Sequence, residues 1–454
     1  MDAAKTSCPG EREVGSTQDV VDKFLADLRP CIKRRAAGLI EMIRGLPTIE
    51  PGGSPTKLAE SPLIARKWPS GHDALREGRF DTGKTREILA KRMPDDALRI
   101  GGRLVVVIDG TPQPRKDAET ARDLGMVWNS TEDRAIPSWK SSWIGVPLQA
   151  KGSWFWPLDV ERVPTARSEL TVAAEQAERT AKLLPNEQIA YAADSSYGSV
   201  GFLNRAAAIP KAAVVVRMRT NRSLRERKPD RPKGKRGRTR LHGPPFPFDA
   251  PPRDPDWSGE VAYATRVVHA EAWHGLHPKE LPQVEGMAIR IRSRSRRNSW
   301  VMWLFATGDL SVADAVAIYA ARFRIEHFFR FAKSSLSLDK ARTPEPSSLE
   351  NWQRVVMLSA AMLAVAAREA RANGSGIDIR RPAWRRGAVA TPGLVAASWR
   401  WIFAAFGVRP ALPRPAGKAP GWPKGRPRRP RPRFDVVRKT PPASKKERLA
   451  RLSA

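Results

Sequence analysis

The sequence predicts an α/β fold, a mixed β-sheet covered by helices, and three observations carry that reading. The first is LVVVID at 104–109, a β-branched run with the look of a buried strand, ending on Asp109. The second is the pair of strand-like stretches at 141–150 and 153–163, joined by a turn that contains glycine. The third is the alternation that follows: a helix at 188's N-terminal side over 168–184, a strand at 188–194 ending on Asp194, a short helix at 199–208 and a strand at 212–218. Three strands followed by alternating helix and strand describe a mixed sheet with helical layers.

Taken in order, residues 1–100 read as a helical N-terminal region and a candidate for binding DNA ends. Apolar residues recur there at three- and four-residue spacing over 20–46, before the Pro/Gly break TIEPGGSP. Residues 101–217 form the first part of the α/β domain. The block 218–298 interrupts it and reads as a basic, β-rich insertion. From Arg217 to Arg240 it carries 12 Lys/Arg against Glu226 and Asp230, then a proline-rich stretch and strand patterns at 261–268 and 285–295. Residues 299–409 complete the domain, with a strand at 298–307 and a helix opened by a capping box, Ser311 as N-cap and Asp314 three residues on. The apolar run at 355–367 is a buried helix, too short to span a bilayer. Residues 410–454 read as a disordered Pro/Arg-rich tail. Fourteen basic residues, two acidic ones and nine prolines over 411–454 cannot bury enough apolar surface to fold independently.

Charge narrows the partners. With 80 Lys/Arg against 47 Asp/Glu the net charge is +33, which points to a polyanion, DNA or RNA. No basic amphipathic helix with a strong apolar face argues for a membrane surface. The two cysteines, Cys8 and Cys31, cannot build a zinc site alone or a disulfide scaffold, and the polar N-terminus does not resemble a secretory signal. The expected location is the cytoplasm.

The chemistry sits in two places. YAARFRIEHFFRFAK at 319–333 puts Tyr319, Arg322, Glu326 and Lys333 at offsets of three, seven and fourteen. At roughly 100° per residue they fall in one helical stripe about 60° wide, along the edge of the apolar face. A mixed solvent face is the alternative for that stripe. The strand-end carboxylates Asp109 and Asp194 are the second place. Each alone also suits a local role, Asp109 in a turn and Asp194 as a helix cap. Together with Glu326 they form a trio that would repel and resist ionisation unless divalent cations were held among them. Oxygen-only ligands favour Mg²⁺ or Mn²⁺, and two such ions can cut a phosphodiester. Arg330 lies about 40° from Glu326 on the same helix and is a further candidate phosphate contact. His327 points about 100° away from Glu326. His269, His274 and His277 lack the pattern of a zinc site.

The spacing Tyr-x₂-Arg-x₃-Glu-x₆-Lys at Tyr319, Arg322, Glu326 and Lys333 resembles the YREK motif of bacterial insertion-sequence transposases of the DDE type. Their catalytic domain is RNase H-like. Asp109 after LVVVI and Asp194 after YAA match the first and second aspartates of that family, and the β-rich block before the glutamate matches its insertion. The resemblance covers about 100–345, and the chain departs from many relatives in carrying Gly110 where they have a second acidic residue. It implies that Asp109, Asp194 and Glu326 hold two Mg²⁺ ions, with Mn²⁺ able to substitute. Tyr319, Arg322 and Lys333 would grip phosphates near the cut end. The implied reaction is hydrolysis at the element end followed by attack of the freed 3′-hydroxyl on target DNA, by a homodimer on paired terminal repeats. Some relatives flip a base onto a tryptophan. Trp300 and Trp303 are candidates for that stack, although their strand context also suits core packing. Two alternatives stand beside an active transposase: a non-catalytic DNA-binding relative, and an RNase H-like nuclease without strand joining.

Overall fold

The computed structural model describes residues 9–49, 53–61, 63–66, 68–129, 132–149, 153–228, 241–295, 298–372, 390–405, 425–427 and 430–438. Four helices open the chain: α1 (Pro9–Leu28), α2 (Ala36–Gly45), α3 (Trp68–Glu77) and α4 (Thr82–Lys91). Two short strands among them, β1 (Ile32–Arg34) and β2 (Arg79–Phe80), pair with each other. The central sheet begins with β3 (Arg99–Ile100), β4 (Arg103–Pro114), β5 (Gly125–Asn129), β6 (Arg134–Pro147) and β7 (Phe155–Val163). Helix α5 (Glu169–Leu183), β8 (Ile189–Ala193), α6 (Val200–Ala206) and β9 (Ala213–Met218) follow.

The spatial order β7–β6–β4–β8–β9 places antiparallel partners on one side of β4 and parallel partners on the other. This is the mixed, RNase H-like sheet expected of the sequence. Central position explains the composition of β4. Val105, Val106, Val107 and Ile108 are fully buried, because a parallel strand with helices on both faces has no solvent side. Burial of each such side chain contributes up to about 1.5–3 kcal/mol.

The block 218–298 extends this same sheet. Its strands are β10 (Ser223–Glu226), β11 (Pro245–Pro247), β12 (Trp257–Tyr263), β13 (Arg266–Pro278) and β14 (Gly286–Ser295). They join the core through β15 (Asn298–Thr307), which pairs antiparallel with both β14 and β9. The basic run at 229–240 lies outside the described residues.

Helix α7 (Val312–Ala321) starts where the capping box predicts: Ser311 Oγ accepts from the Asp314 N–H at 3.0 Å. The single helix expected beyond it is two helices. α8 (Phe323–Ser335) begins after a joint at Arg322, whose N–H reaches back only three residues to Tyr319 at 3.1 Å. This tighter turn ends α7 without leaving helical backbone angles. α9 (Pro346–Ala372) holds the apolar run at 355–367, buried as expected. α10 (Pro392–Ala405) follows.

The N-terminal helices belong to the same core. α1, α2 and α3 pack on α9, and Trp156 of β7 donates to the Leu89 carbonyl at 2.9 Å. Asn351 on α9 donates to the carbonyls of Leu75 and Gly78 at 2.8 and 3.0 Å. Asn351→Ala removes the buried side-chain donor from the Leu75 carbonyl and leaves the Gly78 carbonyl with the Arg79 guanidinium at 2.8 Å. It is expected to lower unfolding free energy by about 1–3 kcal/mol in urea denaturation. An unchanged midpoint would show that the helical region is not tied there.

Part of the tail expected to be disordered is docked. The Phe434 N–H donates to the Glu119 carbonyl at 2.8 Å, and Val437 forms a parallel bridge with Gly125 on β5. The guanidinium of Arg122 lies 5.0 Å from the Phe434 ring centroid. An aromatic side chain and an open strand edge give this segment what its arginines and prolines cannot supply.

Candidate active site

β4 and β8 set the site by register. Their parallel pairing ends at Ile108 opposite Ala193, so Asp109 and Asp194 are the next residues on adjacent strands. Adjacent strands run about 4.8 Å apart, so the two carboxylates start as neighbours. Neither local alternative holds. β4 continues past Asp109 to Pro114, still paired with β6, so Asp109 is no turn residue. The cap of α6 is Ser199, so Asp194 caps no helix.

Glu326 reaches the pair through Arg322. The Arg322 guanidinium donates to Glu326 Oε1 at 2.8 Å and lies 3.5 Å from Asp109 Oδ2. α8 is held at that height by its apolar face: Phe328 and Phe329 pack on Trp143 of β6, with centroids 5.4 and 6.1 Å away. Trp143 stands opposite Asp109 in the β4–β6 register. The same strand pair therefore fixes both the aspartate and the floor under the glutamate.

Electrostatics follow from this crowding. Burial pushes the Asp109 carboxyl up to about 7. Arg322 and the Gly110 N–H oppose that rise, and the charges of Asp194 and Glu169 add to it. Arg322 is 6% exposed, whereas Glu326 is 47% exposed, so the cation is the buried member of that pair. Its guanidinium also lies 5.4 Å from the Tyr319 ring centroid and 4.8 Å from that of Phe323. Tyr319 is itself buried, which pushes its phenol up to about 12. Lys333 is lowered by burial, against the attraction of Asp339 and Asp109. Lys333 is thus within electrostatic reach of Asp109, while Arg330 is exposed.

The structure brings together Asp109, Asp194, Arg322 and Glu326, with Tyr319 beneath. In this arrangement Arg322 serves as counter-ion between two carboxylates. The tryptophans part company. Trp303 is 2% exposed and stacked on Phe248 at 4.6 Å, a core residue, since its ring is enclosed by Phe246, Phe248 and Trp273. Trp300 is half-buried against Tyr263, whose ring in turn meets Phe323. The three histidines of the insertion have separate partners: His269 with Ser258, His274 with Asp256, His277 beside His242.

Among the described residues, no three His, Cys, Asp or Glu side chains form a ready-made metal cage. The donor set nonetheless suits a hard divalent cation. It is made of carboxylate oxygens, and the buried Asp109 shares its ion-pair partner, Arg322, with Glu326. None of the described helices is long and apolar enough to cross a membrane.

Sequence reasoning missed Glu169, Lys140 and Tyr197. Glu169 opens α5 after its cap Ser168, receives the Tyr197 hydroxyl at 3.1 Å and pairs with Lys140. The available signal was Gly110, because a glycine inside a strand marks a place where something approaches the backbone closely.

A family model described as DDE superfamily endonuclease matches residues 27–279. The match takes in Asp109, Asp194 and most of the N-terminal helical region, and stops before Glu326. No curated protein matches the chain.

Proposed function

Since this chain belongs to the DDE superfamily endonuclease family, we propose that it is a DNA transposase of the insertion-sequence type. In this reading it cuts at element ends and joins the freed 3′-hydroxyl to target DNA. The observation that carries the reading is the convergence of Asp109 and Asp194, in register on parallel strands, with the Arg322–Glu326 pair.

Asp109, Asp194 and Glu326 would hold the Mg²⁺ ions, with Mn²⁺ able to substitute. Bound there, the pair supplies an activated water or hydroxyl and charge stabilisation at the phosphodiester. Asp109 must be ionised to take part, and its raised pKa makes cation binding compete with a proton near neutral pH. Glu326 is half exposed and starts on a rigid helix, so its carboxylate can turn from Arg322 toward a neighbouring cation. Arg322 is then released to face a phosphate, for which its planar fork is suited. Lys333, on the same side, adds a point charge. Tyr319 supports Arg322 from below. The basic charge of the chain serves non-specific DNA affinity. Action as a homodimer on paired ends and Trp300 as a stacking surface belong to the same proposal.

Glu326→Gln tests it. The full-length protein is incubated with Mg²⁺ and a plasmid carrying the reading frame with its native flanking DNA. The variant is expected to lose cleavage by about 10²–10³-fold while binding the same DNA within about threefold. Cleavage retained, or DNA binding lost, would count against the assignment. Cutting by the parent protein without joining of a pre-cut 3′-hydroxyl end would favour a nuclease instead.

A further inference from the structure

Glu169 reaches the rear of the site through a gap that a glycine leaves open. An ideal Cβ added to Gly110 would stand 1.9 Å from Glu169 Oε1 and 3.0 Å from Cε of Lys140. No other residue type at 110 is compatible with the carboxylate in this seat. Gly110 follows Asp109 directly and pairs with Ser142, whose hydroxyl donates to Gln176 on α5. Residue 110 therefore faces α5, while Asp109 faces Arg322 on the other side of the sheet.

The same carboxylate reaches the second aspartate. Tyr197 is fully buried and donates its hydroxyl to Glu169 Oε1 at 3.1 Å. Its backbone N–H donates to the Asp194 carbonyl at 3.0 Å, closing the turn on which Asp194 stands. Burial holds the Tyr197 phenol well above its usual range, and the charges of Glu169, Asp109 and Asp194 hold it there too, so it stays a proton donor. Two further features keep Glu169 in place. It lies in the first turn of α5, where the helix dipole favours an anion, and it pairs with Lys140, a residue 31% exposed in its side chain.

We propose that Glu169 is a positioning residue for the cation site, setting the spacing of Asp109 through contact at Gly110 and of Asp194 through Tyr197. This rests on the reading of Asp109 and Asp194 as cation ligands. The carboxylate touches neither aspartate; it fixes the two strand ends from behind, as outer partners of metal ligands do.

The test is Mn²⁺ binding to the full-length protein without DNA, followed by calorimetric titration with MnCl₂. Glu169→Ala and Gly110→Ala are each expected to weaken binding by about tenfold. The double variant Gly110→Ala/Glu169→Ala is expected to be no weaker than either single one, because the added methyl meets no carboxylate once Glu169 is gone. A merely structural role would lower melting temperature and leave Mn²⁺ affinity unchanged. Asp109→Asn is the control. If it loses Mn²⁺ binding while Glu169→Ala binds like the parent, the positioning role is wrong. If Asp109→Asn itself binds like the parent, the ligand assignment beneath it is wrong. Should the first two variants fail to fold, Tyr197→Phe decides, since it removes one hydroxyl. Weaker Mn²⁺ binding by Tyr197→Phe supports the role and parental affinity overturns it.

Discussion

Asp109→Asn is expected to lose Mg²⁺-dependent cleavage by about 10³-fold while the protein becomes more resistant to unfolding above neutral pH. The two effects share one origin. An asparagine keeps the shape but not the charge, so it cannot serve as a full cation ligand, and losses of about 10²–10³-fold or more follow when such a group is removed. Stability moves the other way. The folded Asp109 titrates near 7, against an ordinary 3.8, with burial as the main cause. Between those two values the folded chain binds more protons at this group than the unfolded chain, so unfolding free energy falls as pH rises. Above about 7 the loss is complete. The neutral asparagine escapes it, so its advantage grows from pH 5 to pH 8 and amounts to about 1 kcal/mol or more. Melting temperatures across that range, without divalent ions, check the sign. An advantage that shrinks with rising pH would contradict the burial of an ionised Asp109.

Arg322→Ala is expected to be the more damaging change to the fold. Arg322 is 6% exposed and stands between Asp109 and Glu326. Removing one member of a buried charge cluster costs about 3–5 kcal/mol when the other charge must remain ionised. Asp109 can avoid part of that cost by binding a proton. The destabilisation is therefore expected to be small near pH 5 and to approach about 3 kcal/mol near pH 8. The stacks on Tyr319 and Phe323 add about 0.5–1 kcal/mol each at either pH. Cleavage is expected to fall by at least about a hundredfold. Millimolar Mg²⁺ should restore part of the melting temperature at pH 8, because a bound cation replaces the missing positive charge. Arg322→Lys should rescue little, since one ammonium cannot reach both carboxylates as the fork does. A destabilisation relative to the parent that is the same at pH 5 and pH 8 would show that Arg322 does not compensate Asp109.

Much of this site was legible in the sequence, for local reasons. The β-branched run LVVVI reads as a buried strand, and its end falls where a parallel neighbour stops. The helical spacing of Arg322 and Glu326 correctly puts them side by side, even though α7 ends at Arg322. Strand register was not legible. That Asp194 lies beside Asp109 depends on the pairing of Ile108 with Ala193, 85 positions apart. Neither was the role of Glu169, which depends on a side chain missing from Gly110 and on how α5 crosses β4 and β6. Of the strands of 218–298, the one read at 285–295 matches β14, whereas the one read at 261–268 crosses the turn between β12 and β13, and their union with the core passes through β15, a contact between distant segments. Trp303 resembled Trp300 in sequence, and only the side of the sheet it faces separates them.

The docking of Phe434–Val437 on β5 has a practical bearing on how shortened versions of this protein behave. Trimming the arginine-rich end to improve handling is a natural choice, yet a cut before Phe434 would bare the Leu124 carbonyl and the Met126 N–H that Val437 now pairs with at the start of β5. An uncovered β-edge invites pairing between molecules, so such a truncation would exchange a surplus of charge for a tendency to precipitate.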